Sequence, residues 1–251
     1  MNTEDRQSKY AIHEAAREGK LSEVESLLNA NPRLATTKDD DERLPIHWAL
    51  SNTHEAIVQL LVSRKDFDPD VQDGSGWTPL MIASSLREGE TMVDLLLSKD
   101  ADVNIKNFNG QTALHFCASK NNLDVARKLI ARKASARVKD KRGQLPLHRA
   151  AAVGSVPMVN LLLDHQSPLN ATDVANYTAL HHAISEGHGD TALVLLKAGA
   201  EVDKVDVDGN LAIDLAPDTK IKKFILQSAE REGIDLSAYE AVKGGGPPPP
   251  K

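Results

Sequence analysis

Cysteine is almost absent from this chain. One thiol, Cys117, occurs in 251 residues, so no disulfide can close within the chain and nothing points to an oxidising compartment. Aromatic residues make up only 4%, so a core has to be built from Leu, Ile, Val and Ala rather than from rings. No apolar run follows a basic N-terminal stretch, and none is long enough to cross a bilayer. The expected setting is that of a soluble intracellular protein. An excess of positive charge is missing as well. The formal net charge is −6, which argues against a polybasic binder of nucleic acid. Catalytic phrases are also missing: there is no Gly-x-x-x-x-Gly-Lys-Ser/Thr loop, no Gly-x-Gly-x-x-Gly and no Gly-x-Ser-x-Gly. His13-Glu14 and His54-Glu55 lack a second histidine at metalloprotease spacing. The expectation is a protein that is not an enzyme and takes no cofactor or metal.

What the chain does have is one phrase, written seven times. Its clearest copy is Gly143-Gln144-Leu145-Pro146-Leu147-His148-Arg149-Ala150-Ala151, a turn glycine followed by a proline-opened helix. The apolar residue before the histidine position falls at Ile12, Ile46, Leu80, Leu114, Leu147, Leu180 and Ile213. Successive intervals are 34, 34, 34, 33, 33 and 33 residues. A period near 33 with a Thr-Pro-Leu-His-x-Ala phrase is the signature of ankyrin repeats. The fold class read from it is all-α: a solenoid of seven helix-turn-helix repeats with β-turn or hairpin tips.

Each part of the phrase has a physical task. Asp-x-x-Gly makes a tight turn in which glycine accepts a positive φ. Threonine caps the helix, and proline takes the first helical position, where its missing N–H costs nothing. The second helix carries a Leu-Leu stripe, as at Leu95, Leu96 and Leu97, that only a neighbouring repeat can cover. Organisation along the chain is expected to be a frayed N-terminus over 1–8, seven repeats over 9–226 and a polar tail over 227–251. The tail ends in four prolines, and its composition reads as disordered. Asp214 replaces histidine in the seventh copy, and lysines follow it, as suits a closing cap.

The informative residues are those the repeat does not need. The position after the repeat histidine holds Trp48, Ile82, Phe116, Arg149 and His182, and Trp77 stands beside the third turn. On an ankyrin stack these places line a groove. Tryptophan, phenylalanine and arginine are the types that dominate protein–protein hot spots; packing between turns is the alternative for the rings. Between Lys120 and Arg149 there are ten bases against only Asp124 and Asp140, while the first two turns are acidic. An acidic partner would be steered to the middle repeats, unless that face is simply solvated. Cys117 reads as a core filler. His181, His182 and His188 resemble a metal cluster, but His181 is the repeat histidine, which ties turns together.

Beyond the generic phrase, particular segments resemble the gankyrin family and its fungal members. They are Arg43 to Ala49, Asp73 to Leu80, Ala118-Ser119-Lys120-Asn121, Lys139 through Ser155, and Glu186 to Asp190. The resemblance covers about Ser8 to Leu226. It implies a non-enzymatic chaperone that is monomeric when free. Such a protein holds the C-terminal domain of one AAA ATPase subunit of the proteasome regulatory particle and regulates assembly of that particle. It implies that Arg43 and Lys120 pair with acidic residues of the ATPase. Asp41, Trp48, Asp73, Trp77, Ser85, Phe116 and Arg149 are further partner-facing positions. The Leu-x-Cys-x-Glu phrase that animal members use for retinoblastoma-protein binding is replaced by His182-Ala183-Ile184-Ser185-Glu186. An ankyrin adaptor or inhibitor of a kinase or transcription factor is the alternative function.

Overall fold

The computed structural model describes residues 3–244. Among them the regular structure is helical, apart from one isolated antiparallel bridge between Val205 and Leu211. The first repeat contributes α1 (Thr3–Glu18) and α2 (Leu21–Ala30), the second α3 (Pro45–Ser51) and α4 (Glu55–Val62), and the third α5 (Pro79–Ser85) and α6 (Glu90–Leu97). The fourth contributes α7 (Ala113–Lys120) and α8 (Leu123–Ala131), the fifth α9 (Pro146–Val153) and α10 (Val156–Asp164), and the sixth α11 (Ala179–Ser185) and α12 (Gly189–Lys197). After a 3-10 turn at Ala212–Leu215 come α13 (Thr219–Arg231) and α14 (Ser237–Gly244). The chain forms two compact units that divide after Phe116.

Within each unit the register residues form the core. Ile12, Ile46, Leu80 and Leu114 are each no more than 2% exposed in the first unit, as are Leu147, Leu180 and Ile213 in the second. Each such side chain contributes about 1.5–3 kcal/mol when withdrawn from water. Alanines at the close-approach positions, such as Ala49, Ala83, Ala150 and Ala183, are fully buried, and Cys117 takes the same place in the fourth repeat.

Six turns share one construction. Asp39, Asp73, Asn107, Asp140, Asp173 and Asp206 each accept two backbone N–H groups, at i+2 and i+4, on the side-chain Oδ1 at 2.8–3.0 Å. Position i+3 has positive φ in every case. Glycine fills it at Gly76, Gly110, Gly143 and Gly209, while Glu42 and Asn176 accept it without glycine's freedom. Thr78 and Thr178 cap their helices as expected, accepting from Met81 N and His181 N. Leu44 and Leu145 stand where a cap belongs and cannot accept. There the N3 histidine helps instead, His47 and His148 each taking the backbone N–H of that leucine on Nδ1.

Three expectations differ from the structure. The N-terminal segment 1–8 is helical from Thr3 onward, with a kink at Tyr10, and Met1 and Asn2 lie outside the described residues. In the seventh repeat the first helix shrinks to a 3-10 turn, because Pro217 follows at once and biases Ala216 away from helical ψ. The segment 227–251, expected as a disordered tail, instead carries the end of α13 and then α14. Gly233 turns the chain at φ +67°, Asp235 Oδ1 accepts from Ser237 N, and Tyr239 is buried. The tetraproline lies outside the described residues.

Candidate functional site

In the first unit the partner-facing candidates gather around two tryptophans. Trp48 donates its indole N–H to Asp39 Oδ2 at 2.7 Å. The Arg43 guanidinium lies 4.8 Å from its ring centroid and that of Arg17 5.9 Å, so cations sit over the indole face. Arg43 also donates Nε–H to Asp73 Oδ2 at 3.2 Å, and its side chain is only 29% exposed. Trp77, half-buried, stacks on Phe116 with centroids 4.2 Å apart. Phe116 is only 8% exposed. It supports Trp77 from below rather than offering a free ring, so packing between turns describes it better than direct contact.

The remaining candidates in this unit have more local roles. Ser85 donates its hydroxyl to Ile82 O within its own helix. Asp41 is exposed, and its carbonyl accepts from Gly74 N, which joins the second turn to the third. Asp73 is buried and serves the turn and Arg43. Its carboxylate is 3% exposed, so it is shielded from a partner.

In the second unit the candidates are cationic. Lys120 is exposed at the end of α7, with no carboxylate at ion-pair distance among the described residues. Arg149 is tied down: Nη2 donates to Asp140 Oδ2 at 2.6 Å and Nη1 to Ser119 Oγ at 3.3 Å. Burial alone would raise the Asp140 carboxyl. The Arg149 guanidinium and the backbone donors of Gln144 and Arg142 outweigh it and hold it below the usual carboxylate range. His182 repeats the arrangement on Asp173 Oδ2 at 3.0 Å, where Gln144 Nε2 also donates. Tyr177 lies 5.3 Å from the His182 ring. Both acids of the Lys120–Arg149 window are spent on bases of that window, Asp124 on Arg127 and Asp140 on Arg149. Lys120, Lys141 and Arg142 keep that face positive and exposed.

The histidines divide into structural roles. His148 donates Nε2–H to Ala171 O, and His47 sits likewise toward Val71 O, each reaching the return turn of the following repeat. His188 reaches back to Ala152 O. Among the described residues no group of three His, Cys, Asp or Glu side chains could hold a metal ion, and no helix is long and apolar enough to cross a membrane. What this arrangement offers chemically is recognition: half-buried indoles, held cations and exposed lysines; the hydroxyls that meet a histidine nitrogen, Thr112 on His115 and Thr178 on His181, are buried at helix starts. Asp39, Asp140 and Asp173 were not singled out from the sequence as groove residues. The signal for them is an aspartate nine residues before a hydrogen-bond donor.

Comparison with known proteins follows the same lines. The family model for ankyrin repeats (three copies) matches residues 1–73, 63–140 and 114–206. A Saccharomyces cerevisiae protein described as "Probable 26S proteasome regulatory subunit p28" is 40% identical over 227 residues, covering 88% of this chain and 99% of that protein. An ankyrin repeat-containing protein of Schizosaccharomyces pombe is 34% identical over 108 residues, 42% of this chain. That match spans only 46%, about half, of the fission-yeast protein. Among solved structures, the ankyrin repeat domain of Bcl-3 superposes with a TM-score of 0.67 at 26% identity, over 85% of this chain and 96% of that one. The chain therefore belongs to the ankyrin-repeat family and, within it, to the gankyrin-like group that the budding-yeast p28 protein represents.

Proposed function

We propose that this chain is a proteasome-related ankyrin-repeat protein that binds the C-terminal domain of one AAA ATPase subunit of the 26S regulatory particle and regulates assembly of that particle. The observation that carries the reading is the end-to-end match to the yeast p28 protein, 40% identity over 99% of its length. The side chains described above suit the role. Lys120, Lys141 and Arg142 would meet acidic groups, while Trp48 and Trp77 present rings of the type that anchors protein interfaces. The protein acts by binding and not by turnover, in the cytoplasm and nucleus. Neither nucleic acid nor membrane has a part in it.

Calorimetric titration with the isolated C-terminal domains of the regulatory-particle ATPases tests the reading. One of them binds, and Lys120→Glu weakens that binding by about 1–3 kcal/mol, as expected for reversal of a charge that meets an acidic group. Binding by none of the ATPase domains, with kinases or transcription factors returned instead by affinity capture, would replace this reading with the adaptor one.

A further inference from the structure

We infer that the turn carboxylates Asp39, in the first unit, and Asp140 and Asp173, in the second, are positioning residues for partner-binding side chains of their own unit. One oxygen of each builds the turn, and the other holds in place the side chain nine positions further on. What is held is Trp48 at 2.7 Å, Arg149 at 2.6 Å and His182 at 3.0 Å. These are the residues directly after the repeat histidines His47, His148 and His181. That the held residues contact an ATPase rests on the proposed function; that they are held does not.

The chain contains its own controls. Asn107 builds the same turn as the aspartates, accepting from Asn109 N at 3.0 Å and Gln111 N at 2.9 Å, so the turn itself does not need a negative charge. Asn107 is also the one turn residue with Phe116 nine positions on, a side chain with nothing to donate. Its second polar atom is a donor, and it goes to Gln111 Oε1. Where an aspartate faces an aliphatic residue at that distance, its second oxygen finds another donor. Asp73 takes Arg43 in place of Ile82, and Asp206 takes Asn210 in place of Leu215. At Asp39, Asp140 and Asp173 the aspartate thus accepts from a donor nine positions on, and at Asn107, where Phe116 offers none, asparagine builds the turn as well.

The benefit is preorganisation. A long arginine loses rotamer freedom when it is fixed, and a side chain already fixed by folding need not lose that freedom on binding. Arg149 is held at two of its nitrogens before any partner arrives.

Asp140→Asn and Asp39→Asn test this directly, because the asparagine keeps an Oδ1 for the turn but turns an N–H2 toward the residue nine positions on. In proton–nitrogen NMR spectra of the free protein, the Trp48 indole N–H of Asp39→Asn should move upfield by several tenths of a ppm, with water exchange at least tenfold faster. The Arg149 Nε–H of Asp140→Asn should become more mobile, while backbone amide shifts beyond the fifth turn stay put. Affinity of Asp140→Asn for the ATPase domain that wild type binds should fall about tenfold or more. The double change Asp140→Asn with Arg149→Phe, which copies the Asn107–Phe116 pair, should recover thermal stability but not affinity. Side-chain signals identical to wild type in both single variants would overturn the inference, as would unchanged affinity in Asp140→Asn. If wild type binds no ATPase domain the proposed function fails, and the spectra of the free protein still decide the positioning role. Should Asp140→Asn not fold, that loss of the turn would contradict the asparagine control and count against it.

Discussion

At the residue scale, the side chains that looked free in the sequence are largely engaged within the protein. Arg43 is the clearest case. Its Nε–H is given to Asp73, which is buried, and its guanidinium covers Trp48. Reversing its charge should therefore affect more than a partner. Arg43→Glu places a carboxylate beside Asp73 and should cost roughly 1 kcal/mol of stability, seen as a lower midpoint in chemical denaturation. Lys120→Glu should leave that midpoint unchanged. Histidine burial sets a second prediction. Desolvation first, and then the neighbouring His182, push the His148 pKa down to about 4 from 6.5. Between those values the unfolded chain takes up a proton that the folded one refuses, so stability rises with pH across the window and is complete above it. Acidification from pH 7 to 4 should remove about 3 kcal/mol through this group alone. His13, His47 and His181 are lowered as well, chiefly by burial, and act in the same direction. Denaturation midpoints recorded against pH check it: the slope in this window should be shallower for His148→Gln.

At the element scale, neighbouring turns and helices meet so closely that single hydrogen atoms matter. Gly74 has an ordinary φ, yet a Cβ there would lie 2.7 Å from the backbone oxygen of Asp41, the same oxygen that accepts from Gly74 N. Gly74→Ala should push the second and third turns apart and destabilise by about 1–3 kcal/mol, the range for overpacking, measured by thermal unfolding. Gly154 ends α9 at φ +76°, and a Cβ on it would run into the His188 ring. Both the left-handed φ and the close approach of the next repeat call for glycine there. His188 comes from the next repeat and bonds back to Ala152 O. Helix starts were legible wherever proline opens them, at Pro45, Pro79 and Pro146. The seventh repeat was not, since its consensus spacing hid the effect of Pro217.

At the scale of the whole molecule, the stack needs an end. Asp214 stands where the other repeats except the third, which has Met81, carry histidine, and its Oδ1 accepts from both Lys222 and Tyr239. Tyr239 belongs to α14, so the segment that composition assigns to a tail in fact finishes the last repeat. Truncation after Arg231 should lower the melting temperature by several degrees, and Tyr239→Phe should cost about 1 kcal/mol through the lost hydrogen bond. A truncated protein that melts like the full chain would show that α14 contributes nothing.

The sequence by itself determined the repeat number, the register and the turn and helix order, because those follow from local chemistry repeated at a fixed interval. It determined the family for the same reason: residues that depart from the phrase are local in sequence too. Only the tertiary structure decided which candidates are available to a partner. Phe116 became a support for Trp77, and Arg149 became a held cation. Lys120 stayed open. Those outcomes depend on what lies across a turn or in the next repeat, and burial and pairing between residues nine or thirty positions apart leave no period to read.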